Sequence, residues 1–190
     1  MKFDQNSRSL RTFTGIIWSI IERFSGQGIQ FIMTIILARY LSPSDFGLMA
    51  LISVFFFLIQ SLNESGFSIA LINKLDRDEL DFSTIFFANT ILGILSFLLL
   101  YFASNSIGYY FNDPQIGSLV KVLSINAIIG SMTIVPVTKL TIDLNFKLQA
   151  KATFLSALFS GLLSISYLLI DISVYSLVIQ SLSFNFVYFC

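Results

Sequence analysis

Arg23, Gln27 and Gln30 interrupt an apolar run between Thr12 and Tyr40, and with Ser19 and Thr34 they recur at spacings of four, four, three and four. That spacing places all five on one face of a helix. Such a stripe could line a cavity, with Arg23 offering a planar guanidinium that binds an oxyanion bidentately. Arg23 and its neighbour Glu22 could equally sit at headgroup level, pairing or snorkelling. A second cluster is Gln60, Asn63 and Glu64, in which Gln60 and Glu64 share a face at i,i+4. Three roles are open to Glu64: a protonatable site coupled to an ion gradient, a partner for Arg23, or an interfacial carboxylate. Lys121 lies on the face of Ser124 and is either a cation at a cavity mouth or a snorkelling side chain. Asn89, Gly93 and Ser96 form a small-polar face that reads as close helix packing.

Composition excludes much other chemistry. The chain contains no His, so imidazole bases, His-ligated zinc and Ser-His-Asp or Cys-His constellations are impossible within it. Its single Cys is Cys190, which leaves no intrachain disulfide and no CxxC metal site. A phosphate loop of the GxxxxGK type is absent. Eleven basic and eleven acidic residues cancel, which gives no case for nucleic acid as a partner. No metal or organic cofactor is expected. Asp76-Arg77-Asp78 imitates a DxD site, but a solvated charge run accounts for it.

The elements that must position the candidate residues follow from the apolar runs. Among 190 residues 55% are hydrophobic and only 12% charged, about half the usual charged share. Mean hydropathy is +0.82, and the apolar residues come in long runs, so the chain is an integral membrane protein. The expected fold is all-α, a polytopic bundle of about six spanning helices over 12–40, 46–72, 82–104, 118–138, 152–170 and 172–189. Residues 1–11 form a short segment ahead of that bundle. Ser42 before Pro43 signals a helix start, Asp81 or Ser83 can cap the third helix, and Asp113 before Pro114 starts the fourth. Lys139 to Lys151 alternates charge and apolar residues, which suggests a helix extension lying at the membrane surface. Trp18 suits an interfacial anchor, as do Tyr109, Tyr110 and Phe111.

Orientation follows from the basic residues. Lys2, Arg8, Arg11, Lys74, Arg77, Lys139, Lys147 and Lys151, eight of the eleven, fall in three segments that alternate onto one side. By the positive-inside rule that side, with the N-terminus and after six crossings the C-terminus, is cytoplasmic.

The segments LARYLSPSDFGLMAL (37–51), ESGFSIALINK (64–74), DFSTIFFAN (81–89), YYFNDPQIGSLVKVLSI (109–125) and LNFKLQAKATF (144–154) occur in this order. Their succession resembles the N-terminal half of a polysaccharide transporter of the multidrug/oligosaccharidyl-lipid/polysaccharide flippase superfamily, the O-antigen and exopolysaccharide flippases. The resemblance covers about residues 12 to 180. It implies a bacterial inner-membrane protein, not an enzyme, that carries undecaprenyl-diphosphate-linked oligosaccharide outward during polysaccharide or lipopolysaccharide biosynthesis. On that basis Arg23 would attract the diphosphate, with Gln27, Gln30, Gln60, Asn63 and Lys121 lining its path and Glu64 or Glu22 as ion-pair or coupling groups. It also implies twelve or more helices in two lobes around a central cavity, of which this chain supplies one lobe. The expected partners are therefore a C-terminal lobe or a second copy, and the 190 residues alone are expected to be inactive, as a fragment or frameshifted product. Two alternatives stand beside it: a membrane-embedded enzyme of the same glycan pathway, and a six-span multidrug-type exporter working as a dimer.

Overall fold

In lipid an apolar run must satisfy each backbone N–H and C=O within its own helix or a closed barrel. A computed structural model shows the first solution, with eight helices and no strand among the described residues. It describes the backbone of residues 3–63, 67–74, 76 and 78–190, and side chains from Ile17 onward except those at 19, 22, 25, 62, 63, 67, 68 and 70. The helices are α1 (Phe3–Ala38), α2 (Pro43–Asn63), α3 (Phe67–Asn73), α4 (Glu79–Tyr110), α5 (Pro114–Leu123), α6 (Ile125–Ile142), α7 (Phe146–Leu168) and α8 (Tyr175–Phe189). Among the described residues four segments are long and apolar enough to cross a bilayer: Pro43–Ser61, Glu79–Tyr110, Pro114–Ile142 and Phe146–Leu168. They fall on the second to fifth expected spans. The first expected span contributes the shorter apolar stretch Gly26–Ala38 within α1, and the last contributes α8, about 22 Å long at 1.5 Å per residue.

Turn chemistry sets where the helices stop. The Ser42 N–H and hydroxyl donate to the Asp45 carboxylate at 2.9 and 2.7 Å, closing a capping box around Pro43. At α4 the N-cap is Asp78, and Asp81 sits three residues on, accepting from the Asp78 N–H at 3.0 Å. The Asp113 carboxylate accepts from the Gln115 N–H at 2.9 Å, with Pro114 opening α5. Between Lys139 and Lys151 the structure corrects the expected surface helix. Leu144 takes a left-handed φ of 55°, Asn145 caps α7, and the chain reverses at once. Gln149 then lies buried, its amide donating to the Val137 carbonyl at 3.1 Å and the Thr141 hydroxyl at 3.0 Å. This apolar–polar alternation therefore comes from two packed helix ends rather than one amphipathic face.

Two kinds of packing hold the bundle: an apolar core where Ile52, Leu100, Leu119, Val120, Val174 and Val178 meet, and small or polar inward faces on α4 and α7. On α4, Asn89, Gly93, Ser104 and Gly108 are buried, whereas Phe87, Leu95, Leu99 and Phe102 are exposed. On α7, Gln149, Ser156, Ser160, Gly161 and Ser164 are buried, and Phe154, Leu155, Phe159 and Leu162 point outward. Small residues let backbones approach, and lipid solvates the large side chains. A Cβ on Gly93 would come 2.9 Å from the Ala127 carbonyl oxygen, and Gly108 already faces Gly117. The close helix face expected from Asn89, Gly93 and Ser96 is thus the α4–α6 contact. Helix α7 lies between α1 and α8; α4 runs along α5 and α6, α8 also packs on α6, and α2 crosses α4, α5 and α6.

Charged groups collect at one end of this bundle. Lys74 pairs with Asp81 at 2.6 Å, and Lys139 reaches Glu79 at 3.3 Å while lying 5.2 Å above the Phe82 ring. Lys147 stands 5.6 Å over Trp18. These contacts bring α1, the α3–α4 connection and the α6–α7 turn to the same end.

Candidate functional site

Where α2, α6 and α8 diverge they leave a cleft of about 210 Å³. Helix α2 supplies Met49, Ile52, Ser53, Phe56, Ile59 and Gln60, α5 ends on the lining Leu123, and α6 supplies residues between Asn126 and Ile134. Those α6 residues sit around the middle of the 114–142 rod, which puts the cleft near mid-depth of the bundle. Helix α8 adds Ser181 and Asn185, one turn apart on one face.

The polar side of the cleft is a network. The Asn126 amide donates to the Ser181 hydroxyl at 3.0 Å, and the Asn185 amide donates to the Asn126 side-chain oxygen at 3.3 Å and the Ser181 carbonyl at 3.1 Å. Ser131 and Ser53 lie on the same walls with hydroxyls bonded back into their own helices, at 2.7 Å each. Bonds of this kind hold the three α6–α8 side chains in one arrangement before any ligand arrives. Among the described lining residues none is ionisable, and what they offer is hydrogen bonds and apolar walls.

Of the described residues singled out from the sequence, one lies in this cleft and the others lie elsewhere on the bundle. Gln60 lines the cleft. Arg23, Gln27, Gln30 and Thr34 are all exposed along α1, which packs on α7 through Gly26 beside Thr153 and Met33 beside Gly161. Their common face thus flanks the α1–α7 contact, and none of them is in the lining. Lys121 is half-buried with its amine 4.7 Å over the Tyr101 ring, bordering a separate depression at the α4–α5 turn with Asn105, Asn112 and Ser118. The side chains of Glu22 and Asn63, and the whole of Glu64, lie outside the described residues, as does any Arg23–Glu64 pair. Among the described residues no cluster of Cys, Asp or Glu could hold a metal.

Asn126, Ser181 and Asn185 were not singled out in the sequence. Two of them carry a signal, the i,i+4 pair Ser181 and Asn185 within the apolar C-terminal run. Asn126 is a lone amide among Ile125, Ala127 and Ile128, and only the fold joins it to residues 55 and 59 positions away. Asn89 is fully buried with neither amide atom hydrogen-bonded, on the α4 face that meets α6 and outside the cleft.

Comparison with known proteins gives consistent matches. A family model described as polysaccharide biosynthesis protein matches residues 36–190. The lipopolysaccharide biosynthesis protein WzxC of Escherichia coli K12 is 28% identical over 115 residues, 60% of this chain and 23% of that protein. The succinoglycan biosynthesis transport protein ExoT of Rhizobium meliloti 1021 is 22% identical over 163 residues, 86% of this chain and 33% of that one. The teichuronic acid biosynthesis protein TuaB of Bacillus subtilis 168 is 31% identical over 113 residues, 60% and 23% respectively. The matched regions span between 23% and 33% of these relatives' lengths. No solved structure matches the chain.

Proposed function

Because the chain belongs to the polysaccharide biosynthesis protein family, whose model matches residues 36–190, we propose that it is a transporting body for lipid-linked oligosaccharide in a bacterial cytoplasmic membrane. The observation that carries this reading is a hydrogen-bonding cleft at mid-depth of the helix bundle, with no ionisable side chain among its described lining. A carrier of sugars needs such a surface inside the membrane, because hydroxyl groups cannot cross hydrocarbon unpaired. The relatives' names, one a succinoglycan transport protein and the others proteins of lipopolysaccharide and teichuronic acid biosynthesis, support a glycan as the cargo. Catalysis is the weaker alternative, since the described lining of Ser, Asn and Gln gives a glycosyl-transfer step no acid or base. In this reading the exposed α1 stripe with Arg23 meets the diphosphate, Glu64 is the candidate coupling group, and a second lobe or second copy completes the path. The charged end of the bundle faces the cytoplasm.

Deleting the gene region that encodes these residues in its own host tests the proposal. Lipid-linked oligosaccharide should accumulate in the membrane while surface polysaccharide falls. Unchanged levels of both would overturn it.

A further inference from the structure

The cleft between α2, α6 and α8 has hydrogen-bonding capacity left over, and its mixture is informative. Asn185 spends both amide hydrogens, on Asn126 and on the Ser181 carbonyl, but its side-chain oxygen accepts from no described group. Asn126 spends one amide hydrogen on Ser181 and keeps the other. The Ser181 hydroxyl accepts that bond and still has its own hydrogen to give. Two donors and at least one acceptor therefore remain on one small polar patch, with no charged side chain among the described lining residues. A phosphate only accepts, and a bare cation needs acceptors alone. Hydroxyl and acetamido groups do both. Across the cleft, Met49, Ile52 and Phe56 form an apolar wall, which suits the C–H face of a pyranose. Its volume of about 210 Å³ holds one such ring and little more.

Taking the transport function as premise, we propose that this cleft is a subsite for one uncharged pyranose of the carried oligosaccharide, held through Asn126, Ser181 and Asn185. The phosphates bind elsewhere on the protein. Glycan selectivity then resides on α6 and α8, away from the charged residues of α1.

Saturation-transfer NMR on the 190-residue chain in lipid nanodiscs tests this with methyl β-glucopyranoside and methyl N-acetyl-β-glucosaminide as probes. Ring protons of at least one pyranoside should receive saturation, and inorganic phosphate should not displace it. Asn126→Leu and Asn185→Leu should each weaken binding about tenfold or more, with helicity by circular dichroism unchanged. A measurement on already folded protein guards against misfolding of those variants. In a Cys190→Ser background, Ser53→Cys alkylated after purification should abolish the signal, because residue 53 lines the cleft. Displacement by phosphate, saturation of n-octanol but of neither sugar, or binding that survives alkylation would each overturn the subsite. Failure of the subsite and failure of transport are distinguishable. Sugar binding with unchanged surface polysaccharide in the deleted host rejects transport alone, and lipid-linked oligosaccharide accumulation without sugar binding rejects the subsite alone.

Discussion

Gly93 shows how little tolerance the α4–α6 contact has. A Cβ there would fall on Ser131 and within 2.9 Å of the Ala127 carbonyl oxygen, and the backbone cannot swing aside as a side-chain tip can. Gly93→Ala should therefore destabilise the bundle by about 1–3 kcal/mol, the usual cost of overpacking. Gly130→Ala, where nothing lies within 4 Å, should be neutral or slightly stabilising through helix propensity. Thermal unfolding in detergent compares the two, and equal midpoints would refute the close contact. Arg23 is a functional question at the same scale. If Arg23 meets the substrate diphosphate, Arg23→Lys in the full transporting protein should keep part of the activity and Arg23→Gln should lose most of it. If Arg23 instead neutralises Glu64, the double variant Arg23→Gln with Glu64→Gln should regain what the single change loses, because the unpaired carboxylate is gone. Flipping assays on the three variants separate these outcomes, and full activity in Arg23→Gln excludes both.

At the scale of elements, a local clasp joins the end of α3 to the start of α4. The hydrogen bond that Lys74 donates to the Asp81 carboxylate raises the Lys74 ammonium above its ordinary value. A raised amine contributes until pH climbs through its folded value, and the carboxylate that accepts from it must stay ionised. The clasp should thus hold across neutral pH, opening only in acid below about pH 4 or in strong alkali. Asp81→Asn should bring the titration of a ¹³C-methylated Lys74 amine back down, and an unchanged titration would show that the pair does not form. Much at this scale was legible in sequence, because turn chemistry is local. Ser42 with Pro43, and Asp113 with Pro114, each name a helix start within two residues. The turn at Leu144 was not legible, since a left-handed φ at a leucine leaves no compositional mark and the neighbouring charges imitate an amphipathic helix.

For the molecule as a whole, composition was enough to read an all-α membrane bundle, whereas the cleft was hidden because Asn126 and Asn185 meet only through tertiary packing. Composition also yields an orientation, and the structure gathers Lys74, Lys139 and Lys147 at one end of the bundle to make that orientation testable. In a Cys190→Ser background, a cysteine at Asn105 should react with a membrane-impermeant thiol reagent added outside cells, and one at Asp78 should not; the reverse would invert the topology. The same packing bears on whether these residues can work by themselves. Contacts run without a break from α1 through α7, α8 and α6 to α4, which makes a single body. Alternating access in membrane carriers moves one body against another around a fixed site, and a cleft walled by α2, α6 and α8 needs something opposite it to close the second face. Expressed alone in a strain lacking its lipid-linked oligosaccharide flippase, the 190 residues should insert into the membrane yet fail to restore surface polysaccharide. Restoration by a chain that cross-linking shows to be monomeric would refute this. Restoration accompanied by a cross-linked dimer would instead identify a second copy as the missing body and favour the dimeric exporter.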